Sequence, residues 1–356
     1  MTHKIAVIGA GFFGCLSAIK LAEIKNVTVD LFEKRENILL SSSGKNQMRA
    51  HSGYHYPRSK ETVNEVQKST KEFKSFFLKN IFDKTKNLYA IANKNTKTNS
   101  KQYLNFLKEN KLYFKNYKNF EFFDRKNIDT IFLIKEKILN IFNARKYLKK
   151  KISTNKKISL YLNTNFNTNQ IKNYDKVIYA TYDENNSNIK NLTKKIKRIR
   201  YELVEKIVVK LPILFHKISI VVLDGNFVCI DPYLGTNFHL LSDVKNSKIE
   251  IQNKKFYNFK NYKRQYLDKG LIKDIKVSKF AKFIKNSKKY LPILEKAKYY
   301  GSFFVVRAIN QNKNDKRTTE IKKISNKIFT IYSGKWITAV STSIKLKALI
   351  RKELKK

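Results

Sequence analysis

The feature that most constrains the fold is a glycine-rich turn between an apolar strand pattern and an apolar helix pattern. Residues 4–8 form a short aliphatic run, typical of a parallel strand buried on both faces. Apolar residues then recur at helical spacing from Phe12, and residues 27–32 predict a second strand. The turn itself reads Gly9-Ala10-Gly11-Phe12-Phe13-Gly14. This order predicts a βαβ unit that binds a dinucleotide.

Each glycine of the turn has an expected role. Gly9 permits the tight turn, Gly11 lets the backbone approach a diphosphate, and Gly14 allows close packing of helix and strand. The N–H groups and the positive end of the helix favour the diphosphate. Glu33 ends the second strand, where a carboxylate can accept both ribose hydroxyls and disfavours a 2′-phosphate. We assign Glu33 and the adjacent Lys34 to the site of FAD or NAD, and not of NADP.

The loop after the second strand distinguishes these cofactors. Its residues 51–56 read His-Ser-Gly-Tyr-His-Tyr. With the glycine turn, the loop resembles the D-amino-acid oxidase-like (DAO) superfamily of FAD-dependent oxidoreductases, and this segment is closest to L-2-hydroxyglutarate dehydrogenases. The resemblance implies FAD as the cofactor and places His51 near the flavin ring. It also implies that four loop residues line the cofactor: Ser42, Ser43, Gln47 and Arg49.

Three later segments match the same superfamily in chain order. Residues 177–181 resemble its apolar strand ending in Ala-Thr-Gly, which assigns Ala180 to the cofactor site. Residues 224–239 resemble its substrate-lobe sheet. The tail resembles its closing motif, in which a glycine turn faces the pyrimidine edge of the flavin; the residues concerned are Arg307, Asp315, Arg317 and Ser333-Gly334-Lys335. A reduced flavin is negative at that edge, so we assign Gly334 and Lys335 to it.

Three side chains are candidates for the chemistry on the substrate. His51 and His55 could accept a substrate proton, because an imidazole titrates near pH 6.5; the alternative is two loop histidines bonded to backbone carbonyls. Arg307 follows an apolar strand pattern and could hold a substrate carboxylate; the alternative is a stem packed on the sheet with its head in water. His216 and His239 lie in strand-like patterns and are predicted to be structural.

Length and composition predict two lobes. With 356 residues and 42% hydrophobic residues, the chain can bury more than one small core. Alternating apolar and polar residues in 204–211 and 218–223 predict an antiparallel sheet with one solvent-facing side. The predicted class is α/β, a Rossmann-like FAD-binding domain with a parallel sheet plus a mixed antiparallel substrate lobe. The boundaries assign 1–85, 140–190 and 305–356 to the FAD-binding domain, and 86–139 and 191–304 to the substrate lobe.

The net charge of +47 would ordinarily suggest a nucleic-acid partner. Only 11 of the 75 basic residues are arginine, and the lysines are scattered, so we expect a solvated surface instead. No run of about 18 apolar residues predicts a transmembrane helix. The two cysteines, Cys15 and Cys229, provide neither a disulfide framework nor a metal site, and fit a reducing cytoplasm.

The resemblance implies an FAD-dependent oxidoreductase that acts on a small anionic substrate. Hydride transfer to the flavin would oxidise a C–H bond next to an amine or hydroxyl of an amino acid, hydroxy acid or sugar-derived acid. Two alternatives stay open. One is a flavoprotein that acts on a sugar nucleotide or RNA, and the other is a binding module without catalysis. The sequence leaves the electron acceptor and the oligomeric state open.

Overall fold

The strands form three sheets. The structure is a computed structural model that describes residues 2–77, 81–225, 227–310 and 319–355. Asp315 and Arg317, which the sequence assigns to the closing motif, lie outside the described residues. The strands are β1 (His3–Ile8), β2 (Val27–Phe32), β3 (Arg49–Ala50), β4 (Phe82–Asp83), β5 (Lys86–Ala92), β6 (Phe114–Asn116), β7 (Ile128–Ile134), β8 (Lys137–Leu139), β9 (Ile158–Tyr161), β10 (Lys176–Tyr179), β11 (Ile199–Lys210), β12 (Ile218–Leu223), β13 (Val228–Tyr233), β14 (Phe238–Asp243), β15 (Lys248–Lys254), β16 (Lys298–Asn310), β17 (Glu320–Lys323) and β18 (Ile328–Tyr332).

The helices follow the apolar periodicity of the sequence. They are α1 (Phe12–Leu21), α2 (Lys60–Phe77), α3 (Ser100–Glu109), α4 (Ile141–Ser153), α5 (Asn185–Asn188), α6 (Asn261–Arg264), α7 (Phe280–Ser287) and α8 (Ala339–Glu353). In α2, for example, Val63, Val66, Phe73 and Phe77 are fully buried on one face. The side chain of Asn140 caps α4 by accepting hydrogen bonds from the first turn of the helix.

The first sheet contains the predicted βαβ unit. Its strand order is β17-β18-β10-β1-β2-β9, and all neighbours are parallel except β17 and β18. The apolar run of β1 is buried on both faces, as the sequence predicts. Helix α1 packs against α8, and the ring of Phe12 stacks on Trp336 with centroids 5.4 Å apart. The start and the end of the chain therefore form one core.

The second sheet is larger and mostly antiparallel. Its order is β15-β11-β14-β13-β12-β5-β7-β6, with β16 also paired to β11, and only β12 and β5 run parallel. The expectation of one solvent-facing side is wrong for β11, where most residues are buried, and for β12, where all six are. Val208 packs into the core of the first sheet, whereas Ile207 and Val209 pack into a separate core on the opposite face.

The predicted domain boundary at residue 305 falls inside a strand. β16 pairs with β11 from Lys298 to Asn310, so the whole strand lies in the second sheet. The return to the first sheet comes after this strand, with β17 and β18. A small third sheet, β3-β8-β4, joins residues 49–50 to the link that follows β7.

Replacing Gly14 by alanine should strongly destabilise the fold. A Cβ at this position would lie 1.7 Å from the carbonyl oxygen of Gly9, so the helix must move away from the strand. We expect Gly14→Ala to lower the free energy of unfolding by about 3 kcal/mol, measured by chemical denaturation. Gly270→Ala is the control, because nothing lies within 4 Å of a Cβ there. Equal stability of the two variants would contradict this account of the turn.

Candidate active site

The glycine turn packs closely against the end of β10 and the loop after β2. Gly9 has a φ of +93°, a conformation that favours glycine. A Cβ on Gly9 would lie 3.0 Å from the carbonyl oxygen of Ala180, which ends β10 beside the turn. A Cβ on Gly11 would lie 2.9 Å from Ser43 Oγ. The turn therefore meets the segment after β10 at Gly9 and the loop that carries Ser43 at Gly11. Neither position has room for a side chain.

Two N–H groups of the turn are bound by the protein itself. Ala10 N–H donates to Glu33 Oε2 at 2.8 Å, and Phe12 N–H donates to Ser43 Oγ at 3.1 Å. The N–H groups of Gly11 and Phe13 donate no hydrogen bond to the described residues. Fewer amides of the turn can therefore bind a diphosphate than the sequence predicts. The groups that remain are these two amides and the Ser43 hydroxyl.

Glu33 faces the turn from the end of β2. Its Oε1 accepts a hydrogen bond from Arg35 N–H at 3.1 Å, and the residue is 7% exposed. An ionised carboxylate has about four acceptor positions, so capacity for ribose hydroxyls remains. Lys34 does not line the cavity. Its Nζ pairs with Glu184 Oε1 at 2.6 Å and with Asp268 Oδ2 at 3.8 Å.

The loop after β2 lies between the two large sheets. Ser42 Oγ donates to the carbonyl of Val306 in β16 at 3.5 Å. Gln47 Nε2 reaches the carbonyls of Cys229 and Leu240 at 3.3 and 3.4 Å. The side chains assigned to the cofactor here thus also bind the loop to the second sheet.

Arg49 is the centre of a buried ion-pair network. Its side chain is 1% exposed, and it binds Asp231 Oδ1 at 2.6 Å, Glu136 Oε2 at 3.2 Å and Ser219 Oγ at 2.8 Å. Burial opposes the charge, but Asp231 raises the pKa of Arg49 above its ordinary value. The residue borders the cavity, yet its guanidinium is bound by these carboxylates. Arg49 therefore lies where the sequence predicts it. Its guanidinium, however, connects the loop to Asp231 and Glu136.

Glu136 also contacts the segment that carries His51 and Ser52. Glu136 Oε1 accepts a hydrogen bond from Ser52 N–H at 3.1 Å and lies 3.7 Å from His51 Nδ1. Tyr89 donates its hydroxyl to Glu136 Oε2 at 2.7 Å. Burial opposes ionisation, but His51 and Arg49 lower the pKa of Glu136 to about 2. A buried carboxylate therefore faces Nδ1 of the His51 ring, at a distance longer than a hydrogen bond.

His51 belongs to a cluster of rings at the cavity. Its ring centroid lies 5.4 Å from His55 and 5.6 Å from Tyr56. The ammonium group of Lys335 lies 4.5 Å from the centre of the Tyr56 ring. Lys335 is only 4% exposed and so differs from the solvated lysines of the surface. This cluster combines a proton acceptor with a cation, both bordering the cavity.

Arg307 stands on the opposite wall. Its NH1 lies 3.6 Å from Glu202 Oε2, and its side chain is one-third exposed. Arg200 NH2 binds the other oxygen of Glu202 at 2.6 Å. Lys206, on the same strand, donates to Ser242 Oγ at 2.6 Å. Burial and the charge of Arg307 lower the pKa of Lys206 to about 8.

Most of the predicted site residues border one cavity of about 1680 Å³ between the sheets. Those that line it are Gly11, Phe12, Phe13, Ser42, Ser43, Gln47, Arg49, His51, His55, Ala180, Arg307, Gly334 and Lys335. Those that do not line it are Gly9, Gly14, Glu33 and Lys34. The two glycines and Glu33 act from behind the surface by shaping the turn, whereas Lys34 is held by its ion pairs.

Sequence reasoning missed Glu136, Asp231, Glu202 and Lys206. Glu136 and Asp231 pair with Arg49, which is far away in the chain, and no local motif marks them. Glu202 pairs both with Arg200, two residues away, and with Arg307 on β16. One signal was available. Asp231 and Glu202 fall inside apolar strand patterns, where a charged side chain needs a partner.

The remaining polar candidates have structural surroundings. His239 Nε2 lies 3.1 Å from the carbonyl of Phe215, and burial lowers its pKa to about 4. Cys15 is fully buried, which raises the pKa of its thiol, and both it and Cys229 are free. Within the described residues, no group of three His, Cys, Asp or Glu side chains could hold a metal ion. No helix in this part of the chain is long and apolar enough to cross a membrane.

Comparison with known proteins agrees with this geometry. Residues 4–134 match the DAO family model, described as FAD dependent oxidoreductase. Over 56 residues the chain is 43% identical to the FAD-dependent monooxygenase FPY4 of Fusarium mangiferae. That match covers 16% of this chain and only 15% of that protein.

Solved structures resemble the chain over nearly its whole length. Glycine oxidase from Geobacillus kaustophilus is 12% identical, with a TM-score of 0.68 over 99% of this chain and 95% of that one. L-α-glycerophosphate oxidase from Mycoplasma pneumoniae, with FAD bound, is 15% identical, with a TM-score of 0.70 over 99% of this chain and 94% of that one.

These findings confirm the predicted fold class, and the match over residues 4–134 is to a family described as FAD dependent oxidoreductase. The residues present fit FAD, because Gly11, Phe13 and Ser43 border the cavity and the N–H groups of Gly11 and Phe13 donate to no described residue. The closer resemblance of residues 51–56 to L-2-hydroxyglutarate dehydrogenases stays a prediction.

Removing the charge of Glu136 should lower the free energy of unfolding. It should also make this free energy less dependent on pH. Its pKa is about 2 in the folded protein, against an ordinary 4.5. The ion therefore stabilises the fold fully above the ordinary value, and this contribution is lost as the pH falls towards the folded value. We expect Glu136→Gln to lower the free energy of unfolding by roughly 3 kcal/mol at neutral pH. Below the ordinary pKa, the difference from wild type should shrink.

Denaturant unfolding at a series of pH values measures both effects. Glu109→Gln is the control, because this glutamate is exposed at the end of α3. A difference between wild type and Glu136→Gln that is independent of pH would contradict an ionised Glu136.

Proposed function

We propose that the protein oxidises a C–H bond next to an amine or hydroxyl of a small polar acid. The observation that carries this proposal is the cavity of about 1680 Å³ between the sheets. It brings the glycine turn at Gly11, the His51 ring and the Arg307 guanidinium to one space. Proton acceptor, anion-binding group and cofactor site are the components that such an oxidation requires.

The residues around Gly11 would hold the cofactor. The N–H groups of Gly11 and Phe13 and the Ser43 hydroxyl would bind its diphosphate, and Glu33 would hold the turn in place from behind by accepting the N–H of Ala10. Gly334 and Lys335 would border the flavin ring, where a positive group stabilises negative charge. When bound, the flavin accepts the hydride from the substrate carbon.

His51 would accept the proton that leaves the substrate nitrogen or oxygen. The carbon gives up a hydride and the heteroatom gives up a proton, so a C=N or C=O bond forms and the substrate loses two electrons. Glu136, 3.7 Å from Nδ1, would stabilise the imidazolium that results. Because Glu136 is also bound by Arg49 and Ser52, it can hold the ring in place throughout.

Arg307 would bind the acid group of the substrate from the opposite wall. Glu202 is 1% exposed and contacts this guanidinium from one side. A guanidinium can bind carboxylates with several donors, so a second anion can be accommodated at the exposed side. This arrangement orients the substrate between His51 and the second sheet.

The names of the structural relatives support this choice of substrate. One acts on glycine and another on L-α-glycerophosphate, so both oxidise a carbon that carries an amine or a hydroxyl. The resemblance of residues 51–56 to L-2-hydroxyglutarate dehydrogenases points to the same class. We therefore favour this reaction over action on a sugar nucleotide or RNA.

Replacing His51 should slow the reduction of bound flavin. Because general-base catalysis contributes roughly 10²- to 10⁴-fold, we expect His51→Gln to lower the rate by this factor while FAD content is unchanged. The measurement is anaerobic stopped-flow bleaching of the flavin by a panel of amino, hydroxy and sugar acids. His216→Gln is the control, because His216 is exposed and lies outside the cavity.

Two results would contradict the proposal. One is protein that binds FAD but is bleached by no acid of the panel. The other is a His51→Gln variant that is reduced as fast as the control.

A further inference from the structure

A buried lysine stands in the same loop that contacts the glycine turn. Lys45 lines the cavity together with Gly11 and Ser43, and it is only 8% exposed. It follows Ser43 by two residues, and Ser43 Oγ accepts the N–H of Phe12 at the start of α1. Lys45 is therefore a cation of the cavity that lies close to the turn in the chain and is shielded from water.

The ammonium group of Lys45 has a neutral partner. Its Nζ donates to the carbonyl oxygen of Lys269 at 2.6 Å. It forms no ion pair with a carboxylate of the described residues. An ammonium group has three N–H donors, so two of them remain for a ligand. A buried cation without a carboxylate is unfavourable unless an anion binds to it.

The charges that act on Lys45 come from two segments. Burial and the positive charge of Arg35 lower the pKa of Lys45 to about 8, whereas Asp268 and Glu36 act in the opposite direction. Asp268 is itself paired with Arg35 and Lys34, and Glu36 is exposed to solvent. These acids therefore compensate the buried ammonium only in part.

Acidic residues elsewhere in the cavity do not compensate it. Glu202 and Asp224 line the cavity and pair with Arg200 at 2.6 Å and with Arg58 at 2.8 Å. Neither they nor Glu61, which also lines the cavity, are among the charges that shift the pKa of Lys45.

The surroundings of Lys45 connect it to the turn from two directions. Through its own loop it is two residues from Ser43, which binds the turn at Phe12. Its neighbour Arg35 contacts Glu33 at 3.5 Å, and Glu33 Oε2 accepts the N–H of Ala10 in the turn. An anion on the N–H groups of the turn that donate to no described residue would therefore have this ammonium group as its neighbouring cation.

We propose that Lys45 binds the diphosphate of FAD and supplies a full positive charge beside the backbone amides of the turn. This inference rests on the cofactor of the proposed function and adds a side chain to its site. A diphosphate carries negative charge on several oxygens, which an ammonium group binds as a charged donor. Because Lys45 can keep its bond to Lys269, the cofactor would also link the first βαβ unit to the segment after α6.

Binding of FAD should then be coupled to the uptake of a proton by Lys45. Its pKa is about 8 without an anion, and a bound diphosphate raises it further. Below this value Lys45 is charged with and without FAD, so its titration does not change the affinity. Above it, the free protein must gain a proton when FAD binds, so the affinity falls as the pH rises. We expect the Kd of FAD to increase at least about tenfold between pH 7 and pH 9.5.

The test measures how much FAD the FAD-loaded protein retains. The protein is diluted at a series of pH values and fixed ionic strength, and free FAD is determined by its fluorescence after ultrafiltration. Lys45→Met should weaken FAD binding at least about tenfold at pH 7, since a hydrogen bond to a charged group contributes that much. It should also remove most of the dependence on pH. Lys45→Arg should keep tight binding up to pH 9.5, because a guanidinium stays charged there.

A second lysine of the cavity provides the matched control. Lys206 also lines the cavity and also has a pKa of about 8, but it lies on β11 of the second sheet. Lys206→Met should therefore keep the wild-type pH profile of FAD binding. Thermal melting of each holoprotein verifies that it is folded, and Lys45→Arg keeps the test decisive if Lys45→Met does not fold.

Competition with two nucleosides assigns the effect to the diphosphate. ADP and adenosine differ only in the diphosphate group. ADP should displace FAD from the wild-type protein at a lower concentration than adenosine does. This difference should shrink in Lys45→Met, because the variant has lost the cation that the diphosphate contacts.

The outcomes separate this proposal from the reaction. Three results overturn the role of Lys45: wild-type affinity for FAD that does not change with pH, a Lys206→Met variant that loses the pH dependence, or an unchanged preference for ADP in Lys45→Met. The last result would assign Lys45 to the link with Lys269 alone. FAD binding that follows Lys45 as expected, together with a flavin that no acid bleaches, would support this role and overturn the proposed oxidation.

Discussion

The buried charge of Arg49 is the interaction on which the arrangement of the cavity depends. Arg49 comes from the loop after the first βαβ unit, Asp231 from β13, and Glu136 from the link between β7 and β8. A guanidinium in this environment is stable only when its carboxylates are in place, and removing one leaves a buried charge uncompensated. The three segments must therefore meet in one way, which fixes the loop against the second sheet.

This constraint reaches both ends of the loop. Before Arg49, Ser43 accepts the N–H of Phe12 and so holds the loop against the glycine turn. After it, Ser52 donates to Glu136, the same carboxylate that pairs with Arg49. The loop thus binds the glycine turn of the first βαβ unit at its start and the link after β7 at its end. The separation of the two cavity walls follows from these bonds, because neither wall can move without breaking them.

The sequence predicts those parts of the site whose function is local. The turn from Gly9 to Gly14 needs glycine because of contacts with neighbours in the chain or in the adjacent strand, and Glu33 follows at a distance fixed by the βαβ unit. Partners such as Glu136 and Asp231 were not predictable, because they lie 87 and 182 residues from Arg49. The motif located Arg49 in the site but could not show which side of the loop its guanidinium faces.

Long-range pairing also decides to which sheet β16 belongs. β16 has apolar residues like those of a strand in a parallel sheet, yet its hydrogen bonds go to β11. Local pattern predicts that a strand exists, whereas its sheet is decided by which strand pairs with it. Only the register with β11 places Arg307 beside Glu202 and so on the cavity wall.

Buried and exposed cations differ in what they indicate about a ligand of this protein. A net charge of +47 arises mostly from lysines in water, where screening makes each of them weakly coupled to any partner. Lys206 differs because burial and the adjacent Arg307 oppose its charge, and they lower its pKa to about 8. Keeping Lys206 charged in this position costs free energy that an exposed lysine does not cost. A bound anion would offset that free energy. The chemistry of the ligand is therefore better inferred from the few cations inside the cavity than from the many outside it.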